Sequence, residues 1–93
     1  MNHFGERVRS LRESKGLLLR QAAAFLEVDT AFMSKVERGQ KRASREQARK
    51  LALFLNLPEE QLIPLWLADR ILETIKGDPF ARKALKIVKQ KMG

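Results

Sequence analysis

Helix-capping residues divide this chain into short segments with helical periodicity, and this division restricts it to a bundle of short helices. In residues 3–14, Phe4, Val8 and Leu11 recur at steps of four and three, which puts them on one face of a helix. Gly16 is the type of residue that ends such a helix at its C-cap. No segment alternates apolar and polar residues as a half-buried strand does, so we expect an all-α protein.

The same kinds of signal predict three further helices. An alanine-rich segment over residues 19–27 predicts the second helix, because small side chains let a neighbouring helix approach closely. Asp29 is a good N-cap for a third helix, and Gly39 ends it. Ser44, with Gln47 three residues later, forms a capping box that opens a fourth helix.

Prolines mark the remaining helices. Pro58 suits the first position of a fifth helix, and Pro64 can open a sixth helix that ends at Gly77. Asp78 and Pro79 then form an N-cap and first-position pair for a seventh helix. The last two helices together predict a C-terminal helical hairpin.

The composition excludes several classes of protein. The 93 residues contain no cysteine, so no disulfide framework and no cysteine-ligated zinc site is expected, and the single histidine, His3, is expected to be a solvated surface residue. No apolar run approaches the length of a membrane span, and the first residues do not resemble a signal peptide. We therefore expect a cytoplasmic protein without a membrane partner, metal or other cofactor.

The charge of the chain favours a polyanionic partner. Nineteen Lys and Arg residues against eleven Asp and Glu residues give a formal net charge of +8. The basic residues are densest between residues 35 and 50, which hold seven of them against two acidic residues. A domain this basic attracts polyanions such as DNA, RNA or an anionic membrane surface, although charge alone does not exclude a merely soluble basic protein.

The short connection between the second and third helices, around residues 26–29, predicts a helix-turn-helix, because two short helices joined so tightly cross steeply. Residues 4–62 resemble the Xre family, the helix-turn-helix type of the phage Cro and repressor proteins. The matching residues are Leu11, Arg12, Lys15, Gly16, Leu17, Ala23, Leu26, Val28, Met33, Ser34, Lys35, Val36, Glu37, Arg38, Gly39, Leu51, Ala52 and Leu55. The resemblance implies a five-helix DNA-binding domain over residues 1–63, with residues 64–93 as a helical extension.

The resemblance implies that the third helix lies in the DNA major groove, with its N-terminal residues on base edges. The residues at these positions are Thr30, Ala31, Phe32, Ser34 and Lys35. Their hydroxyl, methyl and ammonium groups suit base readout. For the aromatic ring, two interpretations stay open: contact with thymine methyls or sugar, or packing onto Phe25 or a neighbouring loop.

Two other sets of charged residues follow from the resemblance. The loop after the third helix is expected to hold DNA phosphates, with help from the backbone amides at the start of the fourth helix. The predicted phosphate contacts are Arg20, Arg38, Lys41, Arg42 and Arg45. Arg12 and Glu37 match a structural ion pair of the family, between the first helix and the end of the third.

The chain departs from the family pattern at two places. Leu18 and Leu19 stand where the family usually has a polar pair that helps to contact DNA, so this contact is in doubt and Arg20 is the candidate substitute. Glu27 stands where the family often has glycine, at a position that tends to need a left-handed backbone.

The extension carries more apolar surface than one small core needs, which predicts a homodimer interface. The predicted interface residues are Leu65, Trp66, Leu72, Leu85 and Val88, with the tryptophan as the anchor. The alternative is that the extension only covers the core of its own protomer.

These observations together predict a dimeric, sequence-specific transcriptional regulator, a repressor or autoregulator that binds a palindromic operator on double-stranded DNA. One alternative is a DNA-binding antitoxin whose extension binds a toxin protein, and another is the controller protein of a restriction-modification system. RNA polymerase is a further alternative protein partner. An enzyme is not expected, because the chain offers no glycine-rich phosphate loop and no recognisable set of catalytic residues.

Overall fold

The computed structural model describes residues 2–93 and contains six α-helices and no strand within that range. The helices are α1 (His3–Ser14), α2 (Leu19–Leu26), α3 (Thr30–Glu37), α4 (Arg45–Phe54), α5 (Ile63–Ile75) and α6 (Ala81–Met92), with a single 3-10 turn at Glu59–Gln61. The all-α prediction is confirmed. No helix among these residues is long and apolar enough to cross a membrane.

One hydrophobic core is shared by α1 to α5. Within it α2 packs against α3 and α4, and α1 packs against α3 and α5. Alanines at the helix contacts allow close approach, as expected from the composition of α2. The core consists of Phe4, Val8, Ala22, Ala23, Leu26, Met33, Val36, Ala43, Ala48, Leu51, Ala52, Leu55, Leu62, Ile63 and Trp66.

The predicted caps of α3 and α4 are confirmed. The Asp29 carboxylate accepts a hydrogen bond from the Phe32 amide at 2.6 Å. At α4 the Ser44 hydroxyl accepts from the Gln47 amide at 3.1 Å, and the Gln47 side chain accepts from the Ser44 amide at 2.9 Å. These bonds satisfy amides that have no partner inside their helix, so both helices begin where the sequence predicts.

The prediction of an α-helix that opens at Pro58 is wrong. Residues 59–61 form only a 3-10 turn, and the next α-helix, α5, begins at Ile63. Pro64 has no amide hydrogen to donate to the carbonyl of Glu60, so a continuous α-helix cannot cross this position without losing a hydrogen bond. Consequently α5 is the fifth helix of the bundle. The predicted domain boundary after residue 63 falls inside α5 and stays a prediction.

Trp66 lies in the core of its own protomer, where only 7% of its surface is exposed. Its indole nitrogen donates a hydrogen bond to the carbonyl of Ala43, 2.8 Å away. We expected this ring to anchor a dimer, but a side chain that is already packed and hydrogen-bonded is not available to a partner. The apolar pattern of α5 extends over more than one face, and the sequence does not tell which face meets the core.

The last helix, α6, has no buried residue. Of the residues predicted at a dimer interface, Leu85 is 36% exposed and Val88 is 50% exposed. Leu65 and Leu72 on α5 are half-buried, and Leu65 packs against the core. The apolar surface that remains uncovered in the protomer is therefore concentrated on α6 and on the exposed side of α5.

The beginning of α1 is held by residues distant in the sequence. Asp69 on α5 accepts hydrogen bonds from the amides of His3 and Phe4 at 3.1 and 2.9 Å, and so caps the first turn of α1. The imidazole Nδ1 of His3 also lies 2.9 Å from this carboxylate. His3 is exposed, as expected, but it is not merely solvated.

The start of α1 also lies very close to the end of α3. The side-chain amide of Asn2 donates to the carbonyl of Glu37 at 2.6 Å. A methyl group added at Gly5 would lie 2.5 and 2.6 Å from the carbonyl oxygens of Val36 and Glu37, closer than such atoms approach one another. Only glycine therefore fits where α1 crosses the end of α3.

A buried ion pair fixes the same contact. The guanidinium of Arg12 on α1 donates two hydrogen bonds to the carboxylate of Glu37 on α3, at 2.8 and 3.0 Å. A third bond, at 2.9 Å, reaches the carbonyl of Leu17 before α2. The hydrogen bond with Glu37 raises the pKa of Arg12 above its ordinary value, so the guanidinium stays protonated.

We predict that Arg12→Met destabilises the protein by about 3 kcal/mol, because it leaves the carboxylate of Glu37 buried without a partner. Urea denaturation followed by circular dichroism measures this loss. The double variant Arg12→Met with Glu37→Leu should cost clearly less than the two single variants added together, because it strands no charge. Purely additive losses would contradict a coupled buried pair.

Candidate nucleic-acid interface

Helices α2 and α3 are joined by only three residues, 27–29. The amide of Val28 donates to the carbonyl of Ala23 at 3.0 Å, and the amide of Glu27 donates to the carbonyl of Ala24 at 3.1 Å. Together these two bonds form a Schellman motif, which ends many helices at a left-handed residue. The connection is therefore a tight turn with its polar groups satisfied, and it leads the chain directly into α3.

Glu27 adopts the left-handed conformation that we expected at this position, with φ of 59° and ψ of 41°. A non-glycine residue in this region crowds its Cβ against the backbone. Asn56, just after α4, is the other non-glycine residue with positive φ among residues 2–93, at 57°. Asparagine tolerates this conformation better than glutamate does, so the strain is concentrated in the turn before α3.

Helix α3 turns one face inward and presents the other. Met33 and Val36 are buried in the core. Thr30, Ala31 and Lys35 are exposed, and all three belong to the set predicted to contact DNA bases. The inward residues thus orient the helix so that its first turns face outward.

Ser34 and Phe32 complete the predicted base-contact set, and both are half-buried. The ring of Phe32 packs against the core. Phe25, the partner that we considered for it, forms an aromatic pair with Phe54 on α4, with ring centroids 5.4 Å apart. Packing therefore accounts for part of the Phe32 side chain, and the remainder lies on the first turn of α3.

The loop after α3 is folded back onto the helix. The amides of Gln40 and Lys41 both donate to the carbonyl of Lys35, at 2.8 and 3.3 Å. Gly39 permits this reversal with a φ of 76°. The backbone of this loop, which carries Lys41 and Arg42, is therefore held at the end of α3.

Four of the five predicted phosphate contacts are exposed cations without a carboxylate within 4.0 Å among the described residues. These are Arg20 on α2, Arg38 at the end of α3, Lys41 in the loop and Arg45 on α4. Arg42 lies 3.9 Å from the carboxylate of Glu73 on α5, and both side chains are largely exposed. An exposed pair at this distance holds its cation weakly, so Arg42 can exchange partners.

Arg45 is the first residue of α4, and its guanidinium lies 5.8 Å from the centre of the Trp66 ring. Arg70 on α5 lies over the same ring at 5.0 Å. Our reading of the sequence did not single out Arg70, because helical periodicity gives no sign that α5 runs beside the loop before α4. The hydrogen bond between Trp66 and Ala43 is what brings these elements together.

The structure contains a tight two-helix unit whose second helix exposes its first turn and is followed by a basic loop. This arrangement defines a helix-turn-helix protein. Comparison with known families agrees: the family model described as a helix-turn-helix domain matches residues 3–65. The chain belongs to this family.

Two curated relatives from Bacillus subtilis (strain 168) are similar over the same region. The chain is 37% identical over 65 residues to the uncharacterized HTH-type transcriptional regulator RghRB and 36% identical over 64 residues to the HTH-type transcriptional repressor RghR. Each match covers 68% of this chain, but only 46% and 47% of the relatives. The chain thus matches about half the length of these proteins.

A solved structure is also similar. The crystal structure of the clp gene regulator ClgR from C. glutamicum superposes with a TM-score of 0.62 at 26% sequence identity. The superposition covers 73% of this chain and 88% of that one. The fold of the bundle is therefore one that a known regulator also adopts.

We predict that Glu27→Gly raises the stability of the protein by about 0.5 kcal/mol, because relief of left-handed strain exceeds the entropy that glycine adds to the unfolded chain. Thermal unfolding should show a rise of about 2–4 °C. Asn56→Gly is the matched control at the other exposed left-handed position, and it should change the midpoint less. An equal or larger rise for Asn56→Gly would contradict strain concentrated at Glu27.

Proposed function

We propose that this protein is a sequence-specific DNA-binding transcriptional regulator in which α3 is the recognition helix. The observation that carries the proposal is the exposure of the first turns of α3 beside a loop whose basic side chains have few carboxylate partners. An α-helix fits the major groove, and basic residues that flank it can neutralise phosphates on the groove edges.

The base contacts in this proposal are Thr30, Ala31, Phe32, Ser34 and Lys35. The threonine and serine hydroxyls can donate to or accept from base edges, and the alanine methyl suits a thymine methyl. The ammonium group of Lys35 can reach the acceptor atoms of guanine. The exposed part of the Phe32 ring would touch thymine methyls or sugar.

The phosphate contacts in this proposal are Arg20, Arg38, Lys41, Arg42 and Arg45. The amides at the start of α4, just after Ser44, add the positive end of a helix dipole. Arg20 would supply the contact at α2 that Leu18 and Leu19 cannot make, since Leu18 is an exposed apolar side chain at the start of that helix.

We further propose that the protein binds DNA as a homodimer through α5 and α6. Among residues 2–93, ten large hydrophobic side chains are exposed, and seven of them lie between residues 67 and 92. On α6, the side chains of Leu85, Val88 and Met92 share a face at helical spacing, while Lys83 lies on the opposite face. A second copy of the chain would cover this face and leave the lysines in solvent.

A dimer of this kind would read two half-sites of a palindrome about one helical turn apart. The name of RghR as a transcriptional repressor supports repression as the mode of action here. In that case the bound dimer would block access of RNA polymerase to a promoter.

A titration with duplex DNA tests the proposal. We expect DNA from the region upstream of the protein's own gene to bind much more tightly than unrelated duplex at both 50 and 200 mM salt. Affinity should fall by a factor of about 10³–10⁵ between these salts if six to ten phosphates are neutralised. Equal binding of both duplexes, with common release at the higher salt, would contradict autoregulation.

Two variants distinguish a contact to a base edge from a contact to a phosphate. Lys35→Ala should lower the ratio of specific to unrelated binding by about tenfold, because it removes a contact to a base edge. Arg38→Ala should weaken binding to both duplexes equally, because a phosphate contact carries no sequence information. Fluorescence anisotropy with the two labelled duplexes measures both effects, and the same ratio in both variants would contradict the role of Lys35.

For the dimer, we predict that Val88→Asp yields monomers at micromolar concentration, because it puts a charge into the proposed apolar contact. Sedimentation velocity measures the change. Lys83→Asp, which introduces the same residue on the opposite face of α6, should leave the dimer intact. A wild-type protein that is already monomeric would overturn the homodimer and favour a different protein, such as a toxin, as the partner of this face.

A further inference from the structure

The side chain of Trp66 is the meeting point of two arginines from different helices. Its indole nitrogen is bound to the carbonyl of Ala43 at 2.8 Å, which fixes the ring at the start of α4. The guanidinium of Arg45 lies 5.8 Å from the ring centre and that of Arg70 lies 5.0 Å from it. Both distances allow cation–π attraction, so the ring restricts where these two cations can go.

Neither of the two arginines has a carboxylate within 4.0 Å among residues 2–93. Each guanidinium is exposed and keeps its positive charge without a carboxylate beside it. Both charges are therefore available to an anion from outside the protomer.

A cleft of about 240 Å³ beside the ring extends this basic surface. Arg70 lines it together with Lys41 and Arg42, two of the proposed phosphate contacts. The cleft also contains two carboxylates, from Asp69 and Glu73. Both have partners: Asp69 accepts from the first amides of α1, and Glu73 makes the loose 3.9 Å contact with Arg42.

We propose that Arg70 is an additional DNA phosphate-binding residue, which α5 adds to the basic loop before α4, and that Trp66 positions it. This inference rests on the proposed DNA binding and extends it to a helix outside the helix-turn-helix unit. Trp66 connects α5 firmly to the start of α4, because its ring is buried in the core and its indole nitrogen is hydrogen-bonded to Ala43. Arg70 is thus held beside Lys41 and Arg42 in the same cleft, where a phosphate that contacts the basic loop can also reach it.

The test is a titration of wild-type protein, Arg70→Gln, Arg70→Lys and Lys83→Gln with one labelled random-sequence duplex over a series of salt concentrations. Phosphate binding does not depend on base sequence, so no operator is needed. Lys83→Gln removes one positive charge from the polar face of α6 and serves as the matched control. Circular dichroism shows that each variant is folded.

We expect Arg70→Gln to reduce affinity by about eightfold at 0.1 M salt relative to the control and to lower the slope of log K against log salt by about 0.9, the loss of one phosphate contact. Arg70→Lys should restore the slope, because it keeps the charge. Identical affinity and slope for Arg70→Gln and Lys83→Gln would overturn the role of Arg70 while leaving DNA binding itself in place. A wild-type protein that does not bind the duplex even at 50 mM salt would overturn the proposed function and this inference with it.

Trp66 is the single tryptophan of the chain, so a second readout is independent of affinity. A phosphate that binds Arg70 must change the charge beside the indole ring. We expect duplex DNA to alter the tryptophan emission of the wild-type protein and of Lys83→Gln by the same amount. It should alter that of Arg70→Gln by less, since only a phosphate at Arg45 then lies beside the ring. The same change in all three proteins would contradict a phosphate at Arg70.

Discussion

The orientation of α3 depends on the carboxylate of Glu37, which is buried at the end of that helix and bound by the guanidinium of Arg12. A carboxylate in this position is tolerable only with a cation beside it, because desolvation of an unpaired charge is expensive. The requirement ties the last turn of α3 to α1, and the close contact of Gly5 with the same turn leaves little room for adjustment. With the end of α3 fixed in this way and Met33 and Val36 buried in the core, the exposed first turns have a defined direction.

A second constraint links the bundle to α5. Trp66 fills a place in the core and binds Ala43, while Asp69 one turn later caps the first amides of α1. Helix α5 is thus part of the scaffold that holds the basic loop, and its exposed side can serve a partner only through other residues. Helix α6, by contrast, has no buried residue. The apolar patterns of α5 and α6 look alike in sequence, but only α5 is built into the core.

Local signals made most of the fold predictable. The caps at Asp29 and Ser44 act over three residues, so they are visible in the sequence, and the all-α class followed from them. The 3-10 turn after Pro58 was not predicted, because it depends on Pro64, which prevents a continuous α-helix from running through this position. The core position of Trp66 and the capping role of Asp69 depend on contacts between residues more than 20 positions apart, for which periodicity offers no signal. For the same reason, helical periodicity did not indicate that Arg70 lies beside the basic loop.

The central claim is that α3 and the loop behind it contact DNA. Amide chemical-shift mapping of the ¹⁵N-labelled protein with a short duplex tests it most directly. We expect the largest shifts in residues 30–45 and in the first turn of α2. Shifts confined to the basic helix α6, with residues 30–45 unchanged, would contradict it and would mean that the chain binds DNA only through unspecific charge.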